Sequence, residues 1–353
     1  MKKFLPIILS TLFLASCAHG QIDNSKTSNS SNLKVDTVVT KLTISDIFPF
    51  KKDIQLKYTS GTGENLSSTF YVDYIKNNRL QFRLVNADTS VGYVVENSNG
   101  ELKMITSRDE FYYHDDLTSI QNAQPEIMLK EPLVKGTSWK LLNGDKRYIS
   151  NDGVQIATAS GKYIALEVTT ETENGKVVDY YAPNVGLVKK VTSNSTKNVI
   201  NSLESIADNG GSTETVKFYY PNSQETGIQY YKRQLHFKTD DDAKIYFEAF
   251  FKETPSNSLV SVLTPNVKIN KLYFNFIEKK VYVDFSKEFE KEMNLGSSGE
   301  DLVLKSITDT LCDYYNVDKL NLTVEGMPYQ SGHIVMKPNE SMYIDIKNIV
   351  EYK

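Results

Sequence analysis

Residues 36–207 repeat one pattern, in which short runs of alternating or β-rich composition stand between turn residues. The runs are Ile54–Tyr58, Ser68–Ile75, Leu80–Val85, Gly92–Glu96 and Leu102–Thr106, then Tyr163–Thr170, Val177–Tyr181 and Leu187–Thr192. Period-2 alternation puts successive side chains on opposite faces of a strand, so these runs can bury one face as strands and not as helices. The separators agree with this: Gly61-Thr62-Gly63, Asn77-Asn78, Asn99-Gly100 and Asn174-Gly175. An Asn-Gly pair signals a hairpin because both central residues of its turn need positive φ. An all-β sheet domain is expected over 36–207. Its supply of 22 Tyr and 16 Phe suits half-wet strand faces. The single Trp, Trp139, reads as a sheet-packing residue more readily than as a sugar platform.

The polar, glycine-bearing stretch 208–215 reads as a linker, and beyond it the pattern changes. Strands are expected at Val216–Tyr220 and Gln229–Lys238, at Val267–Phe276 and Lys280–Phe285, and at Leu320–Val324 and Met342–Ile346. Between the first two pairs, Thr239 is a plausible N-cap and Asp240-Asp241-Asp242 would favour the positive end of a helix. Ala243, Phe247, Phe250 and Phe251 fall on one face of that helix. A second helix is expected after Gly296-Ser297-Ser298-Gly299, with Ser298 as N-cap and Asp301 three residues on. Val303, Ile307, Leu311 and Tyr314 form its buried stripe. The fold class is thus α+β. An N-terminal all-β domain precedes a C-terminal ββαββαββ domain over 216–353, with the helices packed on a sheet.

The N-terminus carries Lys2 and Lys3 before an apolar run, Phe4 to Ala15, that is shorter than the ~20 residues a spanning helix needs. Leu14-Ala15-Ser16-Cys17 resembles the bacterial lipobox. The resemblance implies a signal peptide over 1–16, diacylglycerol on the Cys17 sulfur, and attachment to the extracytoplasmic face of the cell membrane. Two or more acyl chains anchor firmly, because each buried CH₂ contributes ~0.8 kcal/mol. Residues 17–35 are polar and rich in Ser and Asn, which suits a flexible tether.

Chemistry is hard to place in the folded part. A formal net charge of −4 gives no pull toward phosphate backbones, so nucleic acid is not an expected partner. Cys17 and Cys312 are the two cysteines, and Cys312 reads as a small buried hydrophobe. His114 sits in Tyr112-Tyr113-His114-Asp115-Asp116 without any repeat of metal-ligand spacing and reads as a solvated loop residue. His236 and His333 fall in other segments, and His19 lies in the tether. Asp240-Asp241-Asp242 lacks the spacing of a calcium loop. Gly296-Ser297-Ser298-Gly299 is one residue short of a nucleophile elbow. No catalytic residue, cofactor or metal is expected.

Residues 216–346 resemble a GerMN domain, a module named after a spore-germination lipoprotein. The segments that carry the resemblance are Phe218-Tyr219-Tyr220-Pro221, Leu263–Ile269, Val281–Ser286, Gly296–Glu300, Thr308–Leu311, Val317–Leu320 and Val324–Pro328. The resemblance implies a non-catalytic module that associates side by side or with envelope partners, linked to sporulation or germination, with no site residues to carry over. In the first domain, Lys135-Gly136-Thr137-Ser138-Trp139 and Tyr180–Lys189 are similar to a β-rich module of exported lipoproteins. Two functions are therefore expected to compete. One is protein association in the cell envelope; the other is capture of a cell-wall glycan or lipidic ligand by the β-rich domain. A cell-wall hydrolase is disfavoured by the missing catalytic constellation.

Overall fold

The computed structural model describes residues 41–60 and 67–353, so the leader, the tether, Cys17 and Gly61-Thr62-Gly63 lie outside the described residues. Residues 41–353 form one compact unit. A one-turn helix, α1 (Ile44–Ile47), comes first. Six strands follow: β1 (Gln55–Ser60), β2 (Ser68–Lys76), β3 (Arg79–Val85), β4 (Ser90–Ser98), β5 (Glu101–Arg108) and β6 (Glu126–Lys130). Six more are β7 (Ser138–Lys140), β8 (Lys146–Thr158), β9 (Gly161–Thr172), β10 (Gly175–Ala182), β11 (Gly186–Asn194) and β12 (Asn198–Ala207).

These twelve make one sheet in the order β6-β5-β4-β3-β2-β1-β12-β11-β10-β9-β8-β7. Two antiparallel meanders thus join through β1 and β12, leaving β6 and β7 at the edges. Twisted sheets of more than about ten strands curl, and this one curls until its edges meet. Side chains bridge the gap: Trp139 Nε1 donates to the Ile127 carbonyl at 2.9 Å and Arg147 Nε to the Met128 carbonyl at 3.0 Å. The edge carbonyls of β6 therefore find donors without a strand partner. The order of strands puts the β6–β7 connection and the β10–β11 turn at one end of the curl, and α1 is tied to both. Ile44 N donates to Glu131 Oε1 at 2.9 Å, and Asn184 N to the Asp46 carbonyl.

Every expected strand of the first domain is present. Four were not anticipated: β6, β7, β8 and β12. The two Asn-Gly turns differ. Asn99 and Gly100 both have positive φ, at 54° and 71°. At the second, Gly175 alone does, and a Cβ there would stand 2.0 Å from the Ser193 carbonyl oxygen. Close backbone approach, not a doubly positive turn, demands that glycine.

The 208–215 stretch is a tight turn at 208–211, and Ser212 already begins β13 (Ser212–Pro221). The remainder runs β14 (Ile228–Phe237), α2 (Ala243–Lys252), β15 (Ile269–Asn275), β16 (Lys280–Phe285), α3 (Glu288–Lys291), α4 (Ser297–Tyr315), β17 (Lys319–Val324), β18 (Met327–Pro328) and β19 (Met342–Tyr343). In place of a single ββαββαββ sheet there are two. β13 and β14 form a ribbon, while β15-β16-β17-β18 form a second sheet with β19 also on β17. β16 and β17 are parallel, joined through α3 and α4. The expected helix caps shift too. Asp242, not Thr239, caps α2 by accepting from Lys244 N at 3.1 Å, and Gly296, not Ser298, precedes α4. Phe247, Phe251, Ile307 and Leu311 are fully buried, as their helical spacing demands.

Candidate ligand cavity

Alternation along the curled strands decides what faces inward. On β3, Phe82 and Leu84 point into the curl, while Gln81 and Arg83 point out to the neighbouring half. About eight closed strands leave an interior that side chains can fill, and larger barrels enclose space. Twelve strands here leave a cavity of about 430 Å³.

Its walls are mostly apolar. Leu56 and Tyr58 of β1, Phe70 of β2, Phe82 of β3 and Tyr93 of β4 form one side. Phe70 and Phe82 lie with ring centroids 4.7 Å apart, and Phe82 stacks on Tyr93 at 5.1 Å. Met104, Ile127 and Met128 face them, with Val185 and Leu187 beside, and Phe48 follows α1 into the wall. Phe70, Leu84, Ile127 and Leu187 are each only half-buried although they pack on the core.

The polar lining is concentrated on the β8–β12 side. Arg147 is buried with all three guanidinium nitrogens hydrogen-bonded: Nε to the Met128 carbonyl, Nη1 to Thr170 Oγ1 at 2.6 Å, and Nη2 to Asp179 Oδ2 at 2.8 Å and Tyr181 Oη at 3.5 Å. Burial works against its charge, yet Tyr181 and Asp179 outweigh that and hold Arg147 above its ordinary value. Burial likewise pushes the Tyr58 and Tyr181 hydroxyls well above the usual phenol range, so both stay protonated. Tyr58 Oη donates to the Leu187 carbonyl at 2.8 Å. Lys190 and Asn201 complete the polar lining with Ser68 and Glu126, whose carboxylate accepts from Leu142 N at 3.2 Å. The arrangement can sequester an apolar chain; it holds no nucleophile paired with a base.

A second group of charges lies between the halves. Arg83 donates to Asp73 Oδ1 at 3.1 Å, Glu214 Oε1 at 2.7 Å and Ser212 Oγ at 2.8 Å. His114, expected on a solvated loop, is buried: it stacks on Phe237 at 4.4 Å, with Nε2 3.0 Å from the Asp241 carbonyl. Its segment folds under the ribbon because Phe111, Tyr113 and Leu117 join the core of the second half. The other two histidines among the described residues are apart. His236 Nδ1 is 2.9 Å from Thr213 Oγ1, and His333 Nδ1 is 2.9 Å from Glu300 Oε2. Cys312 is buried, its thiol pushed up to about 12 by burial. Asp240 accepts from Ile75 N at 2.9 Å, so the aspartate run serves the helix start and the seam. Cys17 lies outside the described residues.

None of the cavity's polar residues stood out in the sequence. A signal existed in Asp179, a carboxylate on the same strand face as Val177 and Tyr181. Arg147 had none, since it lies in a polar stretch that does not read as a strand.

Residues 217–330, a little under a third of the chain, match the family model Germane, described as sporulation and spore germination. Among curated proteins none matches. Similar solved structures include the tandem GerMN domains of the sporulation protein GerM from Bacillus subtilis, 19% identical with a TM-score of 0.28 over 36% of this chain and 45% of that one. The chain thus spans less than half of that structure. An exported protein with a YmcC-like fold from Bacteroides fragilis is 15% identical with a TM-score of 0.30, over 46% of this chain and 99% of that one. A protein provisionally termed a lipoprotein from Clostridium perfringens is 16% identical with a TM-score of 0.25, over 38% and 88%. A GerMN-like module within 217–330 is what the chain shares with the family model.

Proposed function

We propose that this chain is a non-catalytic envelope protein, anchored through acyl chains on Cys17 at the extracytoplasmic face, that seats a lipidic chain in the hollow of its twelve-stranded sheet. The GerMN-like half contacts other envelope proteins, and the match to a sporulation and germination family supports that assignment. Among the described residues no helix is long and apolar enough to cross a membrane, which agrees with attachment by lipid.

The observation that carries the ligand reading is the cavity itself. The hollow of about 430 Å³ is open to solvent on part of its surface, so without a guest water wets Phe70, Phe82, Leu84 and Met104. A long apolar guest would cover that apolar surface. Cell-wall glycan fits less well, since its many hydroxyls would face these same walls unpaired.

The test is recovery of the protein from membranes after crosslinking in cells, followed by solvent extraction and mass spectrometry. A lipid retained at about one per chain is expected, together with crosslinked envelope proteins. Extracts free of any stoichiometric lipid would sink the ligand reading, and monomers alone would sink the association reading.

A further inference from the structure

Polar residues of the hollow fall in one row across neighbouring strands. Asp179, Lys190 and Asn201 stand directly opposite one another across β10, β11 and β12, and Asn201 in turn opposes Ser60, the last residue of β1. Residues in such a row share one sheet face, and all three in this one line the cavity. The row lies toward the end of the curl away from α1.

Two acceptors in the row lack donors. Asp179 Oδ1 and Asn201 Oδ1 are buried, and neither accepts a hydrogen bond. Asp179 itself is 3% exposed. Lys190 Nζ stands 3.6 Å from Asp179 Oδ1, close enough for attraction but beyond a hydrogen bond. Arg147 does not serve Oδ1, since its hydrogen bonds go to Met128, Thr170, Asp179 Oδ2 and Tyr181. Buried acceptors without donors are rare and costly in native proteins. The charged groups of the lining also balance, Arg147 and Lys190 against Asp179 and Glu126. A carboxylate or phosphate brought here would compete with Asp179 for Lys190 and add to the unpaired acceptors.

We propose that the hollow takes an uncharged amphiphile whose head offers hydroxyl donors, which Asp179 Oδ1 and Asn201 Oδ1 accept while its chain lies along Phe70, Phe82 and Met104. The proposal rests on the cavity reading above and adds the chemistry of the head.

The experiment titrates the full chain carrying Cys17→Ser, so that its own acyl groups cannot occupy the hollow. Three probes of equal chain length are compared by calorimetry: monolauroylglycerol, laurate and methyl laurate. Monolauroylglycerol is expected to bind about fivefold to tenfold more tightly than methyl laurate, the yield of one or two hydrogen bonds. Laurate is expected to bind no better than methyl laurate. Asn201→Val should shrink the hydroxyl preference, read as the ratio of the two ester affinities within the same variant, to about twofold or less, while Asn201→Gln should restore part of it. Equal affinities for the glycerol and methyl esters, or a preference for laurate, would overturn the head assignment and leave the cavity reading standing. Binding of none of the three would overturn both.

Discussion

Arg147 and Asp179 illustrate how one buried pair can serve several ends. Their side chains are 9% and 5% exposed, so each charge depends chiefly on the other for compensation, Lys190 Nζ standing a further 3.6 Å from Asp179 Oδ1. Removing one member of such a pair typically costs about 3–5 kcal/mol, whereas replacing both by apolar groups is often neutral. Arg147→Met is therefore expected to lower the unfolding free energy by about 3–5 kcal/mol, measured by urea titration. Adding Asp179→Leu should recover most of that loss. A single variant as stable as the parent would show that the pair is not desolvated. The double variant would still lack the bond to the Met128 carbonyl. Stability and closure of the curl are therefore separable, which matters because Arg147 is both a wall of the hollow and a clasp on β6.

That clasp belongs to the strands. β6 is an edge strand whose outer carbonyls at Ile127 and Met128 accept from Trp139 and Arg147, not from a neighbouring strand. Trp139→Phe keeps an aromatic ring at the seam and deletes its donor, leaving the Ile127 carbonyl without that partner. Hydrogen exchange of the β6 amides is expected to speed up, while the β1–β12 junction keeps its protection. Uniform exchange across both regions, before and after substitution, would show that the seam adds nothing. Such seams are invisible in sequence, and the reason is physical. Leu80–Val85 and Leu187–Thr192 were legible because alternation and flanking turn residues mark them locally. β8 was not, because Ser150-Asn151-Asp152-Gly153 reads as a turn yet is accommodated by bulges near Ile149, Asn151 and Val154. The hollow itself could not be read. Phe82 looks the same in sequence whether its ring meets a packed core or empty space, and only the number and curl of the strands decide which. His114 was misjudged for a related reason. A loop without metal-ligand spacing reads as solvated, but Tyr113 and Leu117 carry the segment beneath the ribbon.

Across residues 41–353 the β-rich and GerMN-like parts share a core, since Val94, Ile105, Phe111, Tyr113 and Leu117 pack with Phe218, Phe247 and Ile307. Polar ties run along the same seam. Arg83 reaches Glu214, Tyr74 Oη donates to the Asp241 carbonyl at 2.8 Å, and Tyr314 Oη donates to Glu214 Oε2 at 2.8 Å. A load on the GerMN-like half would therefore be felt by the strands that wall the hollow, because Arg83 and Phe82 are neighbours on β3. Titration at this seam should be visible in the whole unit. Burial, reinforced by the Asp116 carboxylate, pushes Asp115 up to about 7. In the unfolded chain it titrates near 4, so the folded state keeps a proton that the unfolded state has released. Stability from Asp115 is then complete below about pH 4, declines as pH rises and is gone above about pH 7. Asp73 has the opposite sign. Burial raises it, but the Arg83 guanidinium and His114 outweigh that and hold its carboxyl below the ordinary range, so its contribution is lost only as pH falls. The melting temperature is accordingly expected to drop between about pH 4 and pH 7 in the parent chain, and Asp115→Asn should flatten that slope while leaving the acid-side loss from Asp73 in place. A parent whose melting temperature is level over that window, or an Asn variant that falls just as steeply, would mean that the seam carries no proton and that the two halves are coupled by packing alone.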